Sequence, residues 1–300
     1  MTNISRRNFV GTTAAFAFLS FGDRLSLANP LGLPLGIQLY SVRQQMSEDL
    51  DEALAAVSAA GYTEVEAASL PKKSAKEIRA ALDKAGLRCV SAHHPFPDLN
   101  TRLDEIVAYD KELGVQFIIC SSPGYRTPSP PGASGGQRPY SLDDWHYNAE
   151  QLNVFAERTA ASNIRFGYHN HTREFVETDG KIPYMELLRL TDAKKFTFEL
   201  DCGWAMVAGV SPVEIMKSYP YRISMLHVKD FKLPPTPSPE NHDGAKVTEL
   251  GLGTIDYRPI FAQAAKTQHI QHAFVEQEAF DMPWKESLKV DADYMHTFKM

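Results

Sequence analysis

The chain lacks any apolar run near the roughly 18 residues that a membrane-spanning helix needs, which excludes an internal transmembrane segment. It is poor in cysteine. Cys89, Cys120 and Cys202 are the three in 300 residues, an odd number at spacings that match no zinc or disulfide pattern. Each lies in an apolar, strand-like run, so buried free thiols are expected. No GxGxxG turn follows the first apolar run, which argues against a dinucleotide-binding sheet. Basic residues are also short: 31 against 37 acidic, a net charge of −6. Without residues 1–28 the balance is 28 to 36. Such an acidic body does not capture nucleic acid or anionic membranes nonspecifically. What is present, 43% hydrophobic and 23% charged residues well mixed, excludes wholesale disorder and suits one large domain or two ordinary ones.

Residues 1–28 are expected to be an address rather than part of the fold. Ser5-Arg6-Arg7-Asn8-Phe9-Val10 resembles a twin-arginine export signal. A short apolar stretch follows over 11–21, and Ser26-Leu27-Ala28 offers small residues for cleavage after Ala28. The expected location is periplasmic or otherwise extracytoplasmic. Twin-arginine export carries folded proteins, which fits one that acquires a metal before leaving the cytoplasm.

From residue 35 onward, short runs rich in Val, Ile, Phe and Tyr alternate with helical segments. The runs are 35–41, 63–68, 88–94, 116–122, 164–170, 196–202, 222–230 and 272–278. Leu50, Leu54, Val57 and Ala60 form one helical face, and Ile78, Ala81, Leu82 and Ala85 another. Gly61, Gly86 and Gly114 stand where left-handed helix caps are expected. Eight strand–helix units imply a parallel sheet with right-handed crossovers, and their number matches a closed (β/α)8 TIM barrel forming a single domain over 29–300. A doubly wound open sheet is the alternative. The Pro-rich stretches 123–139 and 233–244 follow strands and read as loops over the C-terminal face, where barrel active sites sit.

Side chains two apart on a strand share a face, and the later part of several runs carries polar residues at that spacing. The pairs are Gln38 and Tyr40, Glu64 and Glu66, His169 and His171, Glu199 and Asp201, His227 and Lys229, Glu276 and Glu278, with His93 and His94 ending the third run. Unpaired charges inside a barrel cost several kcal/mol each. Carboxylates and imidazoles gathered at one end of several strands therefore point to a shared divalent cation.

Several of these residues lie in longer matches to one family. Gly36-Ile37-Gln38-Leu39-Tyr40-Ser41, Tyr168-His169-Asn170-His171 with Glu174-Phe175, and Leu200-Asp201-Cys202-Gly203-Trp204 with Ala208-Gly209-Val210-Ser211-Pro212 belong to this set. So do Leu226-His227-Val228-Lys229-Asp230, Glu249-Leu250-Gly251-Leu252-Gly253 and Phe274-Val275-Glu276-Gln277. Together they resemble the xylose-isomerase-like TIM-barrel proteins, also called the sugar phosphate isomerase/epimerase family, and within it a YHNHxxEF subgroup. The resemblance spans residues 35–299. It implies a divalent metal ion (Mn²⁺, Mg²⁺, Co²⁺ or Zn²⁺) held by carboxylates, an aspartate and a histidine. Asp201, His227 and Glu276 carry over as ligands. Many relatives have glutamate where this chain has His169. Glu174 is taken as the fourth ligand, with His169 as its rival and Glu177 as a further option.

The implied chemistry is proton abstraction next to a carbonyl, through a metal-stabilised enediolate. Glu276 is the candidate base or acid, with Glu174 or His169 as its partner. Lys229 and His171 are candidate hydrogen-bond donors to the substrate, His94 a candidate for orienting it, Glu66 a further candidate substrate contact and Trp204 a sugar platform. The leading expectation is a sugar isomerase or epimerase. The alternative is a lyase or hydrolase of keto-sugars or 3-keto-glycosides, since an enolate with a β-leaving group expels it. A non-catalytic sugar-binding barrel and a repair nuclease are the remaining readings, the second opposed by the acidic charge. The expected partner is a small carbohydrate, and a homo-oligomer is compatible with the sequence.

Overall fold

The computed structural model describes residues 30–127 and 138–298. The expected export address over 1–28 and residues 128–137 of the first long loop lie outside the described residues. Eight parallel strands close a barrel: β1 (Gly36–Gln38), β2 (Glu64–Ala67), β3 (Arg88–His94), β4 (Phe117–Cys120), β5 (Arg165–His169), β6 (Phe196–Asp201), β7 (Ile223–Val228) and β10 (His272–Val275). Every strand neighbours its sequence predecessor, and β10 returns to pair with β1 through Gly36↔Phe274 and Ile37↔Val275. The closed barrel is the expected one, and the open sheet is excluded. Each predicted run contains its barrel strand.

Helices cover the outside: α1 (Arg43–Glu48), α2 (Leu50–Ala59), α3 (Ala75–Ala85), α4 (Phe96–Leu113), α5 (Leu142–Ala160), α6 (Pro183–Leu190), α7 (Cys202–Val207), α8 (Pro212–Ser218), α9 (Tyr257–Thr267) and α10 (Trp284–Thr297). Their starts are chemically marked. Ser74 before α3 and Ser141 before α5 each close a reciprocal capping box, with Glu77 and Asp144 respectively. Gly86 and Gly114 end α3 and α4 at φ +72° and +91°. The loop expected over 233–244 is a loop, and the one correction concerns the run before it. The run 222–230 breaks at Lys229, and Asp230–Lys232 (β8) pairs antiparallel with Lys246–Thr248 (β9) as a hairpin. A 3₁₀ turn, Pro239–Gly244, lies between its strands.

Strand alternation sends one set of residues outward against the helices and the other into the barrel. The outward set joins one continuous core that includes Ile118, Cys120, Phe166, Tyr168, Phe198, Leu200, Leu226 and Val228. The inward set forms a second, small cluster of Val90, Phe117, Ile119, Met225 and Phe274. This cluster plugs the barrel because its neighbours are small. A Cβ on Gly36 would lie 2.7 Å from Phe274 Cδ1, and one on Gly167 2.7 Å from Ile119 Cδ1. All three cysteines are free and buried, as expected.

Candidate metal and substrate site

Above the apolar plug the inward positions turn polar. Strand β5 ends with His169, β6 with Glu199 and Asp201, and β7 with His227, while Lys229 and Glu276 lie just past the ends of β7 and β10. Every one of these side chains is buried. His169, Asp201, His227 and Glu276 each offer a ligand atom within 4.8 Å of the other three. His227 Nδ1 lies 3.1 Å from Glu276 Oε2 and 3.9 Å from Asp201 Oδ2, and His169 Nε2 lies 3.9 Å from the same aspartate oxygen. Donors around a metal with bonds of about 2.1 Å stand roughly 3–3.5 Å apart, so modest closure would bring these four onto one ion. Asp201 Oδ2 is buried and meets no aligned hydrogen-bond donor. The donor set therefore fits a divalent cation. A second group, His93, His169, Glu199 and His227, shares two of these imidazoles one layer deeper.

Lys229 supplies positive charge beside the four. Its Nζ lies 3.0 Å from Asp201 Oδ2, 2.5 Å from Glu276 Oε2 and 2.7 Å from Glu278 Oε1, and 5.2 Å from the centre of the Trp204 ring. Burial works against the Lys229 charge, but Asp201, Glu276 and Glu278 outweigh it and raise its pKa well above the ordinary value. Burial would likewise raise Glu276, yet Lys229 and His227 hold its carboxyl well below the usual range. Asp201 is different: burial prevails over Lys229 and His227 and pushes it up to about 6. His171 is pushed down to about 3 by burial and by the Lys229 charge, so it is a neutral imidazole. Its buried Nδ1 has no partner.

A cleft of about 380 Å³ opens over this group. His93, His169, His171, Glu276 and Glu278 line it, with Tyr40 and Arg173 at its edge. The structure sets four sequence-based candidates apart from the four converging donors. Glu174 belongs to neither donor group. Its carboxylate accepts from the Tyr168 hydroxyl at 2.8 Å and from the His171 backbone N–H at 2.8 Å, so it braces the loop after β5, whereas its rival His169 lies in the converging donor group. Glu177 is exposed. Glu66, expected to contact substrate, is fully buried and absent from the cleft lining, and Gln38, Ser91, His93 and His227 surround it. His94 turns from the donor group to Asp110 of α4, 2.8 Å away, and its neighbour His93 faces the barrel instead.

Trp204 is half-buried and outside the cleft lining; its Nε1 donates to Glu278 at 3.0 Å. Sequence reasoning picked out His93, Glu199, Tyr40 and Glu278 only as members of polar doublets. It did not anticipate Arg173, whose loop position carries no periodic signal.

The model of the Xylose isomerase-like TIM barrel family matches residues 54–297. Among curated proteins, the chain is similar to an inosose dehydratase of Clostridium botulinum (strain Alaska E43 / Type E3), 25% identical over 252 residues, covering 76% of this chain and 82% of that one. Among solved structures it is similar to a sugar phosphate isomerase/epimerase of Parabacteroides distasonis, 25% identical with a TM-score of 0.67, covering 87% of this chain and 93% of that one. The IOLI protein, solved with a bound zinc atom, shares the fold at 13% identity and a TM-score of 0.66, over 89% of this chain and 99% of that one. The barrel, its inward ring of ligand-type side chains and the length of the family match together place this chain in the xylose isomerase-like TIM barrel family of enzymes.

Proposed function

We propose that this protein is a divalent-metal-dependent enzyme that removes a proton next to the carbonyl of a sugar or cyclitol and then expels a β-substituent. The observation that carries the reading is the meeting of His169, Asp201, His227 and Glu276 within 4.8 Å, two of which, His169 and Glu276, line an open cleft. A bound ion would supply Lewis acidity that makes the neighbouring C–H bond acidic. The remaining work falls to the chain's own groups. Glu276 lines the cleft and is held ionised, so it is the candidate to take the proton. His171, neutral and with a free nitrogen, is the candidate to receive or return a proton beside it. Lys229 keeps its proton and stands among Asp201, Glu276 and Glu278. It can donate to a developing oxyanion or to a leaving oxygen.

Two observations favour elimination: this buried ammonium, and the dehydratase chemistry printed for the curated relatives. Return of the proton to carbon, giving epimerisation or isomerisation, is the second reading, favoured by the isomerase/epimerase among the structural relatives. Protein reconstituted with Mn²⁺, Co²⁺ or Zn²⁺ should be incubated in D₂O with keto-sugars, 3-keto-glycosides and inososes. Loss of the β-substituent supports elimination, and deuterium at carbon without loss supports the second reading. Neither change with any substrate class, in protein shown to hold metal, would sink both. The reaction is further proposed to take place outside the cytoplasm. Replacing both Arg6 and Arg7 by Lys should retain the protein in the cytosolic fraction, and unchanged export would refute the route.

A further inference from the structure

Each imidazole in the proposed ligand set has two nitrogens, and only one can face an ion. The other ends of both rings meet carboxylates from different strands. His227 Nε2 lies 2.7 Å from Glu66 Oε2, leaving Nδ1 on the side of Asp201 and Glu276. His169 Nδ1 lies 3.1 Å from Glu199 Oε2, leaving Nε2 toward Asp201. The two carboxylates are themselves tied together by His93, whose Nε2 lies 3.0 Å from Glu66 Oε2 and 2.6 Å from Glu199 Oε2. Glu66 is pinned further by the Ser91 hydroxyl at 2.5 Å and the Gln38 amide at 2.7 Å. The rings of His93 and His227 stack, 5.3 Å apart at 3°.

From this geometry we infer that Glu66, Glu199 and His93 are positioning residues that fix which nitrogen of His227 and of His169 is offered to the metal ion. Resting on the metal-dependent reading above, the inference assigns a function to a layer behind the proposed ligands, of which only His93 reaches the cleft lining. A carboxylate that accepts the proton of one ring nitrogen fixes the tautomer, aims the opposite lone pair and raises its basicity. Spacing separates this layer from a second ion site. The contacts of 2.6 and 2.7 Å are hydrogen-bond distances, shorter than the roughly 3.3 Å edge of a coordination shell. Using two imidazoles instead of one also adds nitrogen to the donor set. That shifts preference from Mg²⁺ toward Zn²⁺, Co²⁺ and Mn²⁺. Glu199 Oε1 is buried without a partner, so an ion seated lower, against His93 and Glu199, is the competing arrangement that the test must detect.

The test measures Co²⁺ and Zn²⁺ affinity by competition with a chromophoric chelator, together with the visible absorption of bound Co²⁺. Variants are Glu66→Gln, Glu199→Gln and His93→Gln, each checked for folding by thermal unfolding in chelator; Glu199→Asp stands in if Glu199→Gln does not fold. The expected result is one ion per chain and an affinity loss of about 10- to 100-fold for Glu66→Gln and Glu199→Gln. The Co²⁺ band should shift in both, and wild-type preference should run against Mg²⁺. Wild-type affinity and an unshifted band in both glutamate variants would overturn the inference while leaving the metal reading intact. So would a His93→Gln loss as large as that of Asp201→Asn, since His93 would then be a ligand. No divalent binding by the wild-type chain would overturn the proposed function itself.

Discussion

The barrel holds carboxylate–histidine contacts at both ends of its interior, and their bonding differs. At the N-terminal end, Glu64 meets His272 Nδ1 at 2.7 Å and Arg88 Nη2 at 2.5 Å, so both of its oxygens are satisfied within the protein. At the C-terminal end, Glu199 Oε1 and His171 Nδ1 are buried without partners, and Asp201 Oδ2 has the Lys229 ammonium 3.0 Å away but no aligned hydrogen bond. The same residue types thus serve cohesion at one end and stand ready for something from outside at the other. Desolvated polar atoms cost about 1–3 kcal/mol each when unmet, so a cluster of them at a cleft is the signature of a site. An unmet atom alone is not. Asp291 Oδ2 on α10 is also orphaned, yet it belongs to neither group of converging metal donors.

The largest contrast should come from the ligands themselves. Asp201→Asn and His227→Gln are expected to lower Co²⁺ or Zn²⁺ affinity by about 10³-fold or more and to abolish turnover, while Glu64→Gln leaves both unchanged. Titration with metal and a turnover assay check this, and a Glu64→Gln variant that loses metal would erase the distinction between the two ends. Next comes Lys229→Met. Without the ammonium, Asp201 and Glu276 keep only the His227 ring between them, which should destabilise the metal-free protein by about 3–5 kcal/mol. Added metal should restore part of this in a denaturant unfolding curve. Glu64→Gln should cost about 1–3 kcal/mol of stability that no metal restores.

The smallest effect concerns Asp291. Burial pushes its carboxyl up to about 8 against the opposing Leu250 N–H, with Glu249 and Asp230 adding to the rise. The folded chain therefore keeps a proton that the unfolded chain releases near pH 4. Stability attributable to this group falls as pH rises from about 4 to about 8. Asp291→Asn should flatten that slope, as read from urea midpoints at several pH values.

Much of this was legible in the sequence because strands write their two faces into alternate residues. The eight strands and the polar residues late in their runs could be read that way. The choice between His93 and His94 could not. Counting in twos from Arg88 through Val90 points His94 inward. In the structure β3 carries an extra residue opposite β2, with Val65 paired to Cys89 but Glu66 to Ser91, and that bulge brings Ser91 and His93 to the inside. Glu174 misled for another reason. A glutamate in the loop after β5 has the right type for a ligand, and only three-dimensional placement shows its oxygens taken by Tyr168 and the His171 backbone. Glu66 stood in a recognised doublet, but its depth below the mouth depends on barrel tilt, which no linear pattern encodes.

The plug formed by Phe274 and Ile119 over Gly36 and Gly167 makes the barrel a blind well. Traffic therefore has one door. An ion of the proposed kind, seated against His169 and His227, would lie below anything that enters by the mouth, so its loading would be ordered: ion first in, last out. A carbonyl substrate of the proposed kind would rest above it as a stopper, and saturating substrate should slow the stripping of metal by chelator.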